Sequence, residues 1–446
     1  MERYQALDVR HMWHPCSHMH DYEAYPAVAV RRARGVWLYT EDGRRILDAV
    51  SSWWVNLFGH GNRRIARAIA KQSKKLEHVI FANYTHEPAS RLAAELSGLF
   101  DHQLPRVFFA DNGSSAVEIA LKMSYHFRVN TGAPERDGFG FISGAYHGET
   151  VGALSVGALG LYKRIYQPML MNTAALPGPD CYRCPYGLSR ETCNAECFSG
   201  TERSIRENAH LSAVIIEPML QAADGMKMYP ARYLIKLRAL TRTLGIHLIC
   251  DEIASGFGRT GAMMASHHAS IVPDIVTVSK GLTGGFLPLS AVLVSEAMYQ
   301  AFYAPYSENK AFLHSHSYTG NPIACAAANA VFALFRERDV LSDIAEKGAY
   351  IRERAMAIAG HPSVGEIRSL GMVTAIELVA DKASKQPLDS ALRTGYRIYR
   401  EAEHNGVLLR NLGDILYFMP PYVISRREID RMVDTALRAI RSILPE

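Results

Sequence analysis

Six short runs rich in β-branched and aromatic residues punctuate the middle of the chain: "RVFFA" at 106–110, "GFGFI" at 138–142, "AVIIE" at 213–217, "IHLICD" at 246–251, "DIVTVS" at 274–279 and "LSAVLV" at 289–294. They alternate with stretches of helical spacing. That alternation predicts crossover units and an α/β fold, a mainly parallel sheet with helices on both faces. From about Val340 the pattern changes. A helix through Ile351 to Ala359, short strands around Gly371 to Leu378, a helix near Ser390 to Glu403, a strand at "VLLR" and a final helix from Arg426 predict a smaller α+β domain. The first sixty residues, with "AVAVRRARGVWLYTEDGRRILDAV", read as strands with a turn at Glu41-Asp42-Gly43 that must pack on something else. The expected division is an N-terminal segment, 1–60, packing with the small domain, a large domain, 61–338, and a small domain, 339–446.

Composition narrows this picture. With 446 residues, 48% hydrophobic and 21% charged, the chain suits a globular protein with a large core. The net charge of +5 is mild and spread along the chain, which gives little support to nucleic-acid binding. No apolar stretch approaches the roughly eighteen residues of a membrane span, and the N-terminus lacks the apolar core of a secretion signal, so a cytoplasmic location is expected. Seven cysteines are too few for a disulfide scaffold in a chain this long. Four of them, Cys181, Cys184, Cys193 and Cys197, cluster in "CYRCPYGLSRETCNAECF". Only the first pair has the spacing of a zinc knuckle. Reduced thiols on a loop are the simpler expectation, with structural zinc on the four thiolates and a redox pair left open; no metal is assigned.

Candidate chemistry concentrates at the ends of the expected strands. In "DIVTVSKGLTGGF" a buried β-branched run ends near a single lysine, Lys280, where an amine is costly unless it has a task. Asp251 follows Ile246, Leu248 and Ile249 as either a helix cap or the partner of a buried cation. "FFADNGSSAVEIALKMS" runs from a strand into a helix at Gly113, Ser114 and Ser115. It reads either as a phosphate cradle at a helix N-terminus or as an ordinary cap in which Ser115 and Glu118 form a capping box. "GAYHGET" offers Tyr146 and His147 before a glycine, either as a ring to stack on a flat ligand or as core.

Together these segments resemble the class III aminotransferases, pyridoxal-phosphate enzymes of fold type I. The resemblance runs from "MWHP" to "LYFMPPYVI" and rests on "DNGSSAVEIALKM", "DEIASGFGRTG", "SKGLTGG" and "YTGNPIACAAANA". It implies pyridoxal 5'-phosphate as cofactor, Lys280 as Schiff-base lysine, Asp251 as partner of the pyridine nitrogen, Gly113 and Ser114 at the phosphate, and Tyr146 over the ring. It also implies a homodimer in which "HSHSYTGNP" crosses to the partner's phosphate. In that segment Ser317 stands where threonine is usual, beside His316, and Ser315 replaces a glycine that contacts substrate in some relatives.

Within the class, "DAVSSWWVNLFGHGN" and "NGVLLR" followed by "LYFMPPY" resemble the branch that serves biotin biosynthesis. That branch aminates 8-amino-7-oxononanoate with S-adenosylmethionine, or in some relatives lysine, as donor. The likeness implies Trp53 and Tyr417 as pocket residues and Arg410 as the carboxylate-binding arginine. Cys16 departs from the pattern, because several relatives have a tyrosine there. Relatives acting on ornithine or 4-aminobutyrate carry arginine at the position of Tyr417 and commonly glutamine at that of Ala254. Two alternatives stay open at this point, an ω-amino acid or diamine aminotransferase and a metal-sensing binding protein with a degenerate cofactor site.

Overall fold

The computed structural model describes residues 3–444. All six runs form strands of one seven-stranded sheet, in the spatial order Arg106–Ala110, Ser290–Val294, Ile275–Val278, His247–Asp251, Leu211–Ile216, Gly138–Ile142 and Ala174–Leu176. Only Ser290–Val294 runs antiparallel to its neighbours. The link from Ile275–Val278 spans residues 279–289, too short for the crossover that a parallel partner needs.

Alternate residues of these strands divide between two cores, as the two-residue period of a strand requires. Ile215, Ile249, Ile275 and Val292 pack against Ile119 and Ala120 of the helix Gly113–Asn130. Leu248, Cys250, Val276 and Leu293 enter the larger core on the opposite face, with Val331 of the helix Pro322–Glu337. Each such buried Val, Leu or Ile stabilises the sheet by about 1.5–3 kcal/mol. A layered sheet follows, with one edge lined by strand carboxyl ends.

Two four-stranded sheets flank the central one. The first contains Val30–Arg34, Trp37–Thr40 and Arg45–Asp48, with the expected turn at 41–43, where Gly43 has a φ of 84°. Its fourth strand, Val407–Leu408, pairs in parallel with Arg45–Asp48. The second is an antiparallel set of Val364–Leu370, Val373–Leu378, Ile415–Phe418 and Arg410–Leu412.

Several expectations for this half need correction. "VLLR" is not one strand, because the chain leaves the first sheet after Leu408, buries Leu409 and enters the second at Arg410. The helix placed at Ile351–Ala359 starts at Val340, where Asp339 caps the Ser342 N–H, and ends at Ala355. The helix near Ser390–Glu403 is a short 3-10 turn, Ser390–Leu392, and an α-helix, Thr394–His404, separated by Arg393 in the left-handed region. A helix at Arg3–His11 carried no clear signal in the sequence. Among the described residues, no helix is long and apolar enough to cross a membrane.

Candidate active site

Five strands of the central sheet deliver polar residues to the same edge. Asp111 to Ser114 follow Arg106–Ala110, Tyr146 and His147 follow Gly138–Ile142, and Glu217 follows Leu211–Ile216. Asp251 ends its strand, and Lys280 lies two residues beyond Val278. They line a cavity of about 520 Å³, in the crevice where open α/β sheets bind ligands.

Asp251 is buried and held by three partners. Its Oδ1 accepts from the Ile253 N–H at 3.0 Å and the Thr277 hydroxyl at 3.2 Å, and its Oδ2 lies 2.6 Å from His147 Nδ1. The parallel pairing of Asp251 with Thr277 explains the second bond. The imidazole of His147 has no exposed surface, and its Nε2 is buried without a partner. Behind it, the Glu217 carboxylate accepts from the N–H groups of Tyr146 and Ala222. Burial pushes Glu217 up to about 7, with Asp251 adding to the shift and His147 opposing it.

Lys280 has a φ of 43°, and among the described residues its amine has no hydrogen-bond or ion-pair partner; its Nζ lies 5.0 Å from the centre of the Trp54 ring. Burial pushes the amine down, opposed by Asp251 and Glu217.

At the helix Gly113–Asn130, Asn112 is the cap and accepts from the Ser115 N–H at 3.0 Å. The Ser115–Glu118 capping box is therefore absent. Glu118 instead accepts from the N–H groups of Gly152 and Ala153. This leaves Gly113 and Ser114 at the positive helix end facing the cavity. A Cβ on Gly148 would come within 2.1 Å of Ser114 Oγ, so only glycine lets the loop after Tyr146 approach the helix start this closely.

A second cavity, of about 950 Å³, meets the first at Trp54, Val55, Ser114, Tyr146 and Lys280. Its lining includes Arg410 and Tyr417, which face each other across the antiparallel pair and belong to one hairpin. The Arg410 guanidinium lies 4.7 Å from the centre of the Trp53 ring. Tyr417 is buried, and its oxygen accepts from Trp54 Nε1 at 3.1 Å. Trp53 and Trp54 sit on a turn in which four residues without glycine, Ser51 to Trp54, have left-handed φ. Such geometry costs about 1–2 kcal/mol per residue.

Near the mouth, Glu149 accepts from the Tyr146 hydroxyl at 2.9 Å, and the Cys16 thiol lies 3.9 Å from the same carboxylate. Burial, then Glu149, push the Cys16 thiol up.

Not every expected residue reaches these cavities. Ser315 and Ser317 are exposed and line neither one; His316 touches the first only through Asp111, 3.4 Å away. The four clustered cysteines are free and line a separate pocket of about 20 Å³, room for one water. Burial pushes the Cys181 thiol up to about 12. Among the described residues, no group of three or more His, Cys, Asp or Glu side chains is arranged to hold a metal ion.

Sequence reasoning missed Glu217 and Glu149 as parts of the site, and it offered His147 as a ring for stacking rather than as the partner of Asp251. Glu217 ends the run "AVIIE", so strand-end position was the usable signal for Glu217.

The residues present fit pyridoxal 5'-phosphate. A helix start backed by Gly148 suits the phosphate, an unpaired amine suits the aldehyde, and an oriented carboxylate suits the ring nitrogen.

Comparison with known proteins agrees. The family model "Aminotransferase class-III" matches residues 19–440. An adenosylmethionine-8-amino-7-oxononanoate aminotransferase of Geobacter sulfurreducens is 39% identical over 438 residues, covering 98% of this chain and 97% of its own. The crystal structure of the Methanocaldococcus jannaschii protein of that name superposes with a TM-score of 0.93 at 33% identity, covering 98% of both chains. The ω-transaminase of Pseudomonas jessenii, solved in complex with PMP, superposes at 0.94 with 27% identity, covering 99% of this chain and 98% of its own. The chain belongs to the class III aminotransferases and is a pyridoxal-phosphate-dependent transaminase.

Proposed function

We propose that the protein aminates the ketone of 8-amino-7-oxononanoate to give 7,8-diaminononanoate for biotin biosynthesis, with S-adenosylmethionine as amino donor, as a cytoplasmic homodimer with shared active sites. The observation that carries this reading is that the Lys280 amine and the Arg410 guanidinium line one continuous cavity. A long keto acid would reach both at once. The names of the Geobacter and Methanocaldococcus relatives support the same reaction.

Bound pyridoxal phosphate would supply the electron sink that lets an amino group leave one carbon skeleton and join another. Gly113 and Ser114 would bind its phosphate through backbone N–H groups and the Ser114 hydroxyl. The Asp251 carboxylate would hold a proton at the ring nitrogen, with His147 fixing the angle of that carboxylate. Tyr146, itself held by Glu149, would cover the ring and exclude water. Lys280 Nζ, whose neutral form burial favours, would take the proton from the substrate carbon and return it during transfer. Arg410 would clamp the far carboxylate with its planar fork, steadied by the Trp53 face.

A single-turnover assay that follows the visible absorbance of the bound cofactor tests this reading. S-adenosylmethionine should change the spectrum, and 8-amino-7-oxononanoate should restore it. Arg410→Lys should raise the KM for the keto acid about 10- to 100-fold while leaving the donor half-reaction nearly intact. Tyr417 leaves no guanidinium beside the reacting carbon, so 2-oxoglutarate should be a poor acceptor. Efficient turnover of 2-oxoglutarate, or equal damage to both half-reactions in Arg410→Lys, would favour an ω-amino acid aminotransferase instead. A response to lysine alone would replace S-adenosylmethionine as donor.

The shared-site part has its own expected result. Ser317 is exposed in the single chain and would donate to the phosphate of the partner's cofactor. Ser317→Ala should weaken cofactor retention at the partner's site. In mixed dimers with Lys280→Ala, one of the two sites should regain activity; dimers without that complementation would mean self-contained sites.

A further inference from the structure

The left-handed turn Ser51–Trp54 has a carboxylate anchor at its start and a guanidinium at its exit. Asp48 has no exposed surface, and its Oδ1 accepts from the N–H groups of Val50 at 3.1 Å and Ser52 at 3.0 Å. Its Oδ2 accepts from the Ser52 hydroxyl at 2.8 Å and lies 2.9 Å from His60 Nε2. The turn closes on itself through Trp54 N–H to Val50 O and Val55 N–H to Ser51 O. Arg259 bonds the carbonyls of Trp54 and Asn56 at its exit, and Ser51 donates to Met419 O.

The consequence appears at the two rings. Consecutive residues of a right-handed helix point about 100° apart, and a left-handed turn swings its side chains the opposite way round. Here Trp54 faces Lys280 while Trp53 faces Arg410, so one turn sets an aromatic surface against each of these two cavity-lining cations. A backbone this costly persists only where its surroundings over-determine it.

We propose that Asp48 is a positioning residue for the transamination: it holds the turn in its left-handed form so that Trp53 and Trp54 fix the spacing between Arg410 and Lys280. The inference rests on the substrate reading above for the identity of the acceptor, but not for the geometry.

The test compares holoenzymes. Asp48→Asn keeps the shape but loses the acceptor for Ser52 and His60. It should raise the KM for 8-amino-7-oxononanoate about tenfold, with kcat falling less than about threefold. It should also change the near-ultraviolet circular dichroism of the tryptophans. Adding Ser52→Gly, which tolerates the left-handed backbone without an anchor, should recover part of the KM loss. If Asp48→Asn does not fold, Ser52→Ala removes one hydroxyl donor and should raise KM about threefold. An unchanged tryptophan signal, an unchanged KM, or kcat and KM worsening together without response to Ser52→Gly would overturn the proposal. Should the parent enzyme not use 8-amino-7-oxononanoate, the substrate reading fails alone. The tryptophan signal and the KM for the acceptor it does use then decide the role of Asp48.

Discussion

Lys280→Ala is expected to abolish the long-wavelength absorbance of the holoenzyme and to lower transamination by roughly 10⁴-fold or more. Among the described residues Lys280 is the only amine at the junction of the two cavities and forms no ion pair, and burial biases it toward the neutral form that can take up a proton. Alanine removes both the group that can bond the cofactor's aldehyde and the base that moves the proton, and no neighbour can replace it. Glu217 and Asp251 are engaged with backbone donors and His147, and Tyr146 is committed to Glu149. Cofactor should still bind through the phosphate cradle, so equilibrium dialysis should find pyridoxal phosphate retained without the visible band. A variant turning over within about a hundredfold of the parent would remove Lys280 from its role.

The second large effect is expected at Asp251. Asp251→Asn is isosteric and can keep the bonds from Ile253 and Thr277 to Oδ1. The change falls on the side facing His147. An amide N–H there requires His147 Nδ1 to accept rather than donate, which moves the imidazole proton to Nε2, an atom buried without a partner. The ring nitrogen would also lose the negative charge that keeps its proton. We expect cofactor retention with a loss of roughly 10³-fold in turnover, the order found when a buried group aimed at developing charge is removed. The pH profile carries a second signature. Asp251 pulls the Lys280 amine up, so its removal should let that amine titrate at lower pH. Near-normal turnover in Asp251→Asn would sink this assignment.

Much of the central sheet was legible because its strands are buried on both faces and read as unbroken β-branched runs. The same burial drew notice to Asp251 and Lys280, but it left a helix cap and a surface lysine open, and their roles came from the family resemblance. Other features depend on contacts distant in sequence. Glu118 looked like half of a capping box because local spacing allowed it, but Gly152 and Ala153 reach its carboxylate from a separate loop. "VLLR" looked like one strand because each of its residues suits a strand, and only the positions of two sheets split it. The left-handed "SSWW" turn had no local signal at all. Without glycine, nothing in those four residues predicts a positive φ, and the anchors that impose it lie at 48, 259 and 419.

The split at Leu409 bears on how this enzyme could be re-engineered. Val407 and Leu408 are locked beside Leu47 and Asp48, and Arg410 is locked beside Tyr417, with one buried leucine between the two attachments. The arginine that would read the substrate's tail is thereby spliced to the first fifty residues, three hundred and more positions away in the chain. A new specificity cannot be grafted in as a C-terminal cassette. Recombination between relatives should preserve function only when the amino-terminal strands and the 407–418 hairpin are inherited from the same parent.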